Sequence, residues 1–185
     1  MTSPATPGRA DTELNDLVIR RASEADAGAL AAFARRTFVE TFGEQNTDEN
    51  MAIHVARTFG DALQLAEIRD ASMVTLVGEV GGTMAGFAQV RRGSAPACVG
   101  SASPIEVLRF YVDRPFQGRG IAPALMRAAL NVARELGGRT AWLGVWEQNP
   151  RAIAFYAKCG FVDVGSHTFV LGTETQTDRV MAQRL

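Results

Sequence analysis

The chain has 185 residues, 46% hydrophobic and 21% charged, and its 19 basic and 20 acidic side chains leave a formal net charge of −1. Such a chain is too apolar and too evenly charged to be disordered, and a pI near 6.1 gives no electrostatic reason to bind nucleic acid. No apolar run approaches the roughly 20 residues of a membrane span, and the length suits one domain with a substantial core. Met1–Leu14 has no apolar segment of the secretory type, so a cytoplasmic protein is expected. Cys98 and Cys159 lack CxxC spacing, which argues against a metal cluster or a disulfide framework.

Residues 1–16 read as a flexible leader broken by Pro4, Pro7 and Gly8, and residues 17–185 as a single domain. Leu17–Arg20 is a short strand. Ser23 and Asp26 form a weak capping-box variant before a helix over about Glu24–Phe42, whose Leu30, Phe33, Ala34, Thr37 and Phe38 recur at helical spacing. Thr47 or Asp48 caps a second helix to about Thr58, and Gly60-Asp61 opens a third to about Arg69. The period then becomes strand-like. Met73–Val80 and Met84–Arg92 form a hairpin turning at Gly81-Gly82, and Pro104–Val112 is another strand. Gly120–Leu136 is an amphipathic helix closed by Gly137-Gly138. Thr140–Trp146 is a strand, and Pro150–Lys158 a helix with proline at its start. Phe161–Leu171 and Thr177–Leu185 form a last pair of strands.

The richest segment is Leu108–Met126, where a strand runs through Gln117-Gly118-Arg119-Gly120-Ile121-Ala122 into a helix. Small residues at Gly118, Gly120 and Ala122 let backbone N–H groups approach a ligand, and a helix N-terminus favours an anion such as pyrophosphate. Pro123 falls in the first turn, where its missing N–H costs little. GxxxxGK[ST] is absent, and Pro123 stands where a Rossmann fingerprint needs glycine. The glycine spacing alone fits an ordinary strand-to-helix turn equally well. A second segment, Trp142–Phe161, passes from a strand through Asn149-Pro150 into a helix that displays Phe155-Tyr156 before Gly160-Phe161.

With both segments in this order, the chain resembles the GCN5-related N-acetyltransferase (GNAT) superfamily. Gln117, Gly120 and Ala122 match its Q/R-x-x-G-x-G/A pattern, and Asn149, Ala152, Phe155, Tyr156, Lys158, Gly160 and Phe161 match the pattern that follows. The resemblance covers essentially Leu17–Leu185. Within the superfamily the chain is most similar to the PaiA-type polyamine N-acetyltransferases, through Thr37-Phe38, Glu40-Thr41-Phe42, Asn46, Trp142–Glu147 and a tail containing His167, Gln176 and Asp178. The implied fold is α+β (mixed α/β): a mixed, mostly antiparallel sheet of about six to seven strands flanked by helices, with a splay between the fourth and fifth strands.

The resemblance implies acetyl-CoA as cosubstrate, no metal, and transfer of the acetyl group to a primary amine by direct attack on the thioester. Phe110, Tyr111 and Val112 would pair with the pantetheine arm, Gln117, Gly118, Arg119, Gly120, Ile121, Ala122 and Pro123 would hold the pyrophosphate, and Asn149 would bond the pantetheine end. Tyr156, a phenol protonated at neutral pH, is the candidate general acid for the departing thiolate, set against a packing tyrosine. Glu106 is the first candidate general base and Glu147 its competitor. Some family members carry a glutamate where this chain has Gly144. A cationic acceptor would be drawn to Glu40, Glu44, Asp48 and Glu49, and Trp146 would line the cleft while Leu143 and Val145 pack the opposite face. The expected partner is a small-molecule amine, with no nucleic acid and no membrane, and a homodimer is compatible with the resemblance. Acetylation of a protein or peptide, and a CoA-binding regulator with little turnover, stand as alternatives.

Overall fold

The computed structural model describes residues 16–185, so nearly all of the leader expected over residues 1–16 lies outside the described residues. Strand β1 (Leu17–Arg21) leads into a 3-10 turn at Glu24–Asp26, where the N–H and Oγ of Ser23 both donate to Asp26 Oδ2, at 2.7 and 2.8 Å. Helices α1 (Ala27–Phe42), α2 (Asp48–Thr58) and α3 (Asp61–Arg69) follow. Thr47 Oγ1 accepts from Asn50 N at 3.3 Å and caps α2. Strands β2 (Met73–Val80) and β3 (Thr83–Arg92) form the hairpin expected at Gly81-Gly82, both at positive φ. The chain continues through β4 (Pro104–Val112), α4 (Ile121–Glu135), β5 (Thr140–Trp146), α5 (Pro150–Lys158), β6 (Val162–Leu171) and β7 (Glu174–Arg184). The last strand begins three residues before the sequence predicts, because Leu171 and Glu174 already pair across a tight turn at Gly172-Thr173.

The described strands form one seven-stranded sheet ordered β1-β2-β3-β4-β5-β7-β6, antiparallel throughout except for the parallel contact of β4 with β5. Helices cover both faces, as the two apolar faces of such a sheet require. On one, Leu125, Met126, Ala129 and Val132 of α4 pack on Val90, Ile105, Val107, Leu143 and Val145. On the other, Leu30, Phe33 and Phe38 of α1 join Met51, Phe59 and Phe87. Leu125 is fully buried, so truncating it to alanine costs about 2–5 kcal/mol. Among the described residues no helix is long and apolar enough to cross a membrane.

Candidate active site

The parallel pairing of β4 and β5 is brief. It joins Pro104–Glu106 to Thr140–Trp142 and stops. β4 stays with β3 as far as Val112, while β5 stays with β7 along its whole length, so the two strands are held by different neighbours and separate. A register shift adds to this, since Gln89 faces Arg109 but Val90 faces Val107, leaving Leu108 as the extra residue on β4. Such a bulge bends and twists its strand. The result is a cleft of about 950 Å³ between the diverging strands. Its β4 wall, Val107–Val112, has lost its β5 partner and offers backbone groups at the strand edge.

At one end the cleft meets the N-terminus of α4. Gly118 and Gly120 take φ of +78° and +81°, a region that costs other residues roughly 1–2 kcal/mol. No side chain caps the helix, so its first N–H groups and dipole point at the opening. Gln117, Gly118, Gly120, Ala122 and Pro123 line this end. Gln117 also shapes the loop, because its Nε2 donates to Val112 O at 2.8 Å. Two residues expected at the pyrophosphate behave differently: Ile121 is fully buried in the core, and Arg119 stacks its guanidinium on Phe116 at 5.9 Å. Neither side chain lines the cleft. Arg114, Arg151 and Lys158 do line it. Arg151 and Lys158 lie seven apart on one face of α5, a spacing legible in the sequence but not used there.

α5 forms the next wall. Asn149 caps it, its Oδ1 accepting from Ala152 N at 3.1 Å, and lines the cleft as well. Tyr156 packs edge-on to Phe110 and Phe161, and Tyr111 stacks on Phe87. Burial pushes both phenols well above their usual range, Tyr156 further by the nearness of Tyr111 and Cys159. Both remain hydrogen-bond donors across neutral pH.

The opposite face of the cleft is aromatic and carries carboxylates. Phe38, Phe42, Tyr111, Trp146 and Phe169 line it with Glu40 and Asp178. Of the four acids expected there, only Glu40 faces the cleft; Glu44, Asp48 and Glu49 do not line it. Trp146 meets Phe42 edge-on, while Leu143 and Val145 pack under α4 as expected. Glu106 is not part of the lining, and its Oε2 is taken by Arg91 Nε at 2.6 Å. Glu147 does not line the cleft either. Among the described residues, the two carboxylates that do are those of Glu40 and Asp178. Sequence reasoning met Asp178 only as part of the tail resemblance, since its place depends on which strands meet.

Asp178 lies opposite Trp146 on β5 and His167 on β6. Burial raises its carboxyl to about 6, with Glu147 adding to the rise and His167 opposing it. Asn46 Oδ1 accepts from Gln176 Nε2 at 2.6 Å, and Asn50 Oδ1 accepts from Thr173 N at 2.9 Å, tying α2 and the turn before it to the β6–β7 hairpin. His54 has a packing role against Phe38, Phe59 and Phe169, and burial, with Arg109 nearby, holds it below its usual value.

A splayed β4–β5 pair, a glycine loop at an uncapped helix and a tyrosine on the following helix define an acyl-CoA-dependent transferase cleft. The acetyltransferase (GNAT) family model matches residues 30–161, and the chain belongs to that family. It is 33% identical over 167 residues to an uncharacterized N-acetyltransferase from the pepI 3' region of Lactobacillus delbrueckii subsp. lactis, across 90% of this chain and 96% of that one. It is also 33% identical over 160 residues to the uncharacterized N-acetyltransferase Rv2669 of Mycobacterium tuberculosis, across 86% and 98% of the two chains. Among solved structures, a PaiA N-acetyltransferase from Thermoplasma acidophilum in complex with coenzyme A superposes with a TM-score of 0.75 at 21% identity, covering 91% of this chain and 99% of that one. The chain is an acetyltransferase of the GNAT type.

Proposed function

We propose that the protein acetylates a small primary amine, a polyamine being the leading class, with acetyl-CoA as donor. The observation that carries this is the composition of the acceptor face: an aromatic slot with Glu40 and Asp178 as its cleft-facing carboxylates. Aromatic faces accommodate both methylenes and cations, and two carboxylates suit an acceptor bearing more than one ammonium group. The sequence resemblance to PaiA-type polyamine N-acetyltransferases, together with the fold shared with a PaiA N-acetyltransferase, is in keeping with this class.

Acetyl-CoA supplies an activated thioester. Gly118, Gly120, Ala122 and the N-terminus of α4 hold its pyrophosphate, with Arg151 and Lys158 adding charge at the mouth. Backbone groups of Phe110, Tyr111 and Val112 align the pantetheine arm as a strand would, and Asn149 bonds its far end. A backbone N–H on this edge stabilises the negative charge that develops on the acetyl oxygen. Tyr156, kept protonated by burial, donates to the departing sulfur. Because Tyr156 packs with Phe110 on the α4–α5 face and the carboxylates line the other, acid and acceptor approach the scissile bond from opposite sides of the sheet.

The test measures CoA release with a thiol reagent across spermidine, spermine, amino acids, aminoglycosides and short peptides. Turnover with spermidine that falls about 100-fold in Tyr156→Phe, with acetyl-CoA affinity unchanged by calorimetry, supports both the substrate class and the acid. Turnover only with peptides moves the substrate to a protein N-terminus. Tight acetyl-CoA binding without turnover on any amine favours a regulatory CoA-binding role.

A further inference from the structure

Gly144 of β5 lines the cleft and carries no side chain. Its place is already filled from the neighbouring strands. A Cβ built on Gly144 would lie 2.7 Å from His167 Nε2 and 3.0 Å from Asp178 Oδ2. The missing side chain is therefore the space into which β6 and β7 deliver an imidazole and a carboxylate. The two face each other at 3.9 Å. His167 Nε2 is buried and has no hydrogen-bond partner among the described residues.

The pair sits on the acceptor side of the sheet. Along β7, Val180 and Ala182 share the face of Asp178 and pack with Trp142, whereas Met181 packs with the α4 core. Tyr111, also in the cleft lining, feels the Asp178 charge across the gap. Asp178 has 13% of its side chain exposed, so it is largely desolvated yet opens onto the cleft. Unlike Glu106, it accepts no arginine ion pair among the described residues.

We propose that Asp178 takes the proton from the acceptor ammonium, and that His167, in the space left by Gly144 and 3.9 Å away, tunes its carboxylate electrostatically. This rests on the acetyltransferase reading above. One Asp178 oxygen accepts a proton from the ammonium, giving a neutral amine. The nitrogen lone pair forms the N–C bond to the acetyl carbonyl as the C–S bond breaks, and the C–S electron pair leaves on sulfur. Tyr156 protonates the sulfur, and the second amine proton restores the phenol. Asp178 then releases its proton to solvent, so each turnover yields one amide, one thiol and one proton. The groups that face the carboxylate are His167 from β6, Glu147 beyond β5 and Tyr111 from β4. Their balance, dominated by burial, puts its titration at about 6, closer to an ammonium than an exposed aspartate would be.

The experiment is a pH profile of kcat/KM with spermidine and with a peptide bearing N-terminal alanine as probes. It uses wild type, Asp178→Asn, His167→Gln and Glu106→Gln, with acetyl-CoA affinity measured by calorimetry for each. Wild type is expected to hold a plateau above about pH 6 and to fall below it. Asp178→Asn is expected to lose about 100-fold at pH 7.5, to replace the plateau by a tenfold rise per pH unit up to the amine's own titration, and to bind acetyl-CoA normally. His167→Gln, which removes the group that lowers Asp178, moves the acid limb to higher pH. Glu106→Gln leaves the plateau in place. An Asp178→Asn enzyme within threefold of wild type that keeps the plateau overturns the assignment, as does the same loss appearing in Glu106→Gln instead. Should Asp178→Asn fail to fold, an unmoved acid limb in His167→Gln overturns it equally. Wild type that binds acetyl-CoA but turns over neither probe defeats the substrate class proposed above, and the role assigned to Asp178 with it.

Discussion

Asp178 illustrates how a single residue can work against the fold that holds it. Its carboxyl titrates near 6 in the folded chain, above the 3.8 of a free aspartate, because burial penalises the charged form. The native state therefore holds more protons than the unfolded chain between about pH 4 and 6. Stability from this group is fully present at low pH and is lost as pH rises through the folded value. At neutral pH the charge costs about 2–3 kcal/mol. Asp178→Asn is thus expected to raise Tm at pH 7.5, by about 2–4 °C per kcal/mol recovered, and to give no gain near pH 4. A calorimetric scan at the two pH values checks this, and a purely structural aspartate would show the opposite sign at pH 7.5. Activity and stability trade against each other at this position.

At the scale of elements, the proposed acetyl-CoA site rests on the loop entering α4 and the edge of β4, both of which line the cleft. Gly120 is the N-cap of α4 at φ +81°, so Gly120→Ala forces a left-handed alanine at a cost of roughly 1–2 kcal/mol. The expected outcome is a lower Tm and acetyl-CoA binding about tenfold weaker by calorimetric titration, with the acid limb of the pH profile unmoved. The element pattern was largely legible beforehand: α2, α3, β4, β5 and α5 run as predicted, because each has a cap, a glycine or proline stop, or a clear apolar period. The early start of β7 was not. It is set by pairing with β6 across Gly172-Thr173, and polar residues such as Thr175 and Thr177 carry little apolar alternation to announce it.

At the scale of the whole molecule, side-chain ties close the acceptor face over the sheet. Arg36 grips Asp113 through two bonds of 2.8 Å, and Arg114 reaches Glu40 O at 2.7 Å, fastening α1 to the end of β4. Arg36 holds the Asp113 carboxyl below its usual range. This contribution is present at neutral pH and is lost as pH falls through the lowered value. Asp113→Asn is expected to cost about 1–2 kcal/mol in denaturant unfolding, since Arg36 is half exposed. It should raise KM for the amine more than it weakens acetyl-CoA binding, because the tie holds the wall bearing Glu40. The floor beneath is a polar network in which Arg109 bonds Glu67 at 2.7 Å and also Gln89, while Gln89 Nε2 donates to Thr75 Oγ1 at 3.2 Å.

By itself the sequence determined the family, the order of elements and the glycine loop that enters α4. These depend on residues close together in the chain: glycines beside a helix start, an asparagine cap seven residues before Tyr156, and apolar periods within one helix or strand. Tertiary structure alone decided which carboxylates meet the cleft. Glu106 and Asp178 both read as polar residues on strands. Cross-strand pairing gives the first to Arg91, whereas β7, laid beside β5, brings the second to the space above Gly144. Burial, partner and direction are properties of neighbouring strands, and no local pattern encodes a neighbour 34 residues away in the chain, the separation of Gly144 and Asp178 (178 − 144).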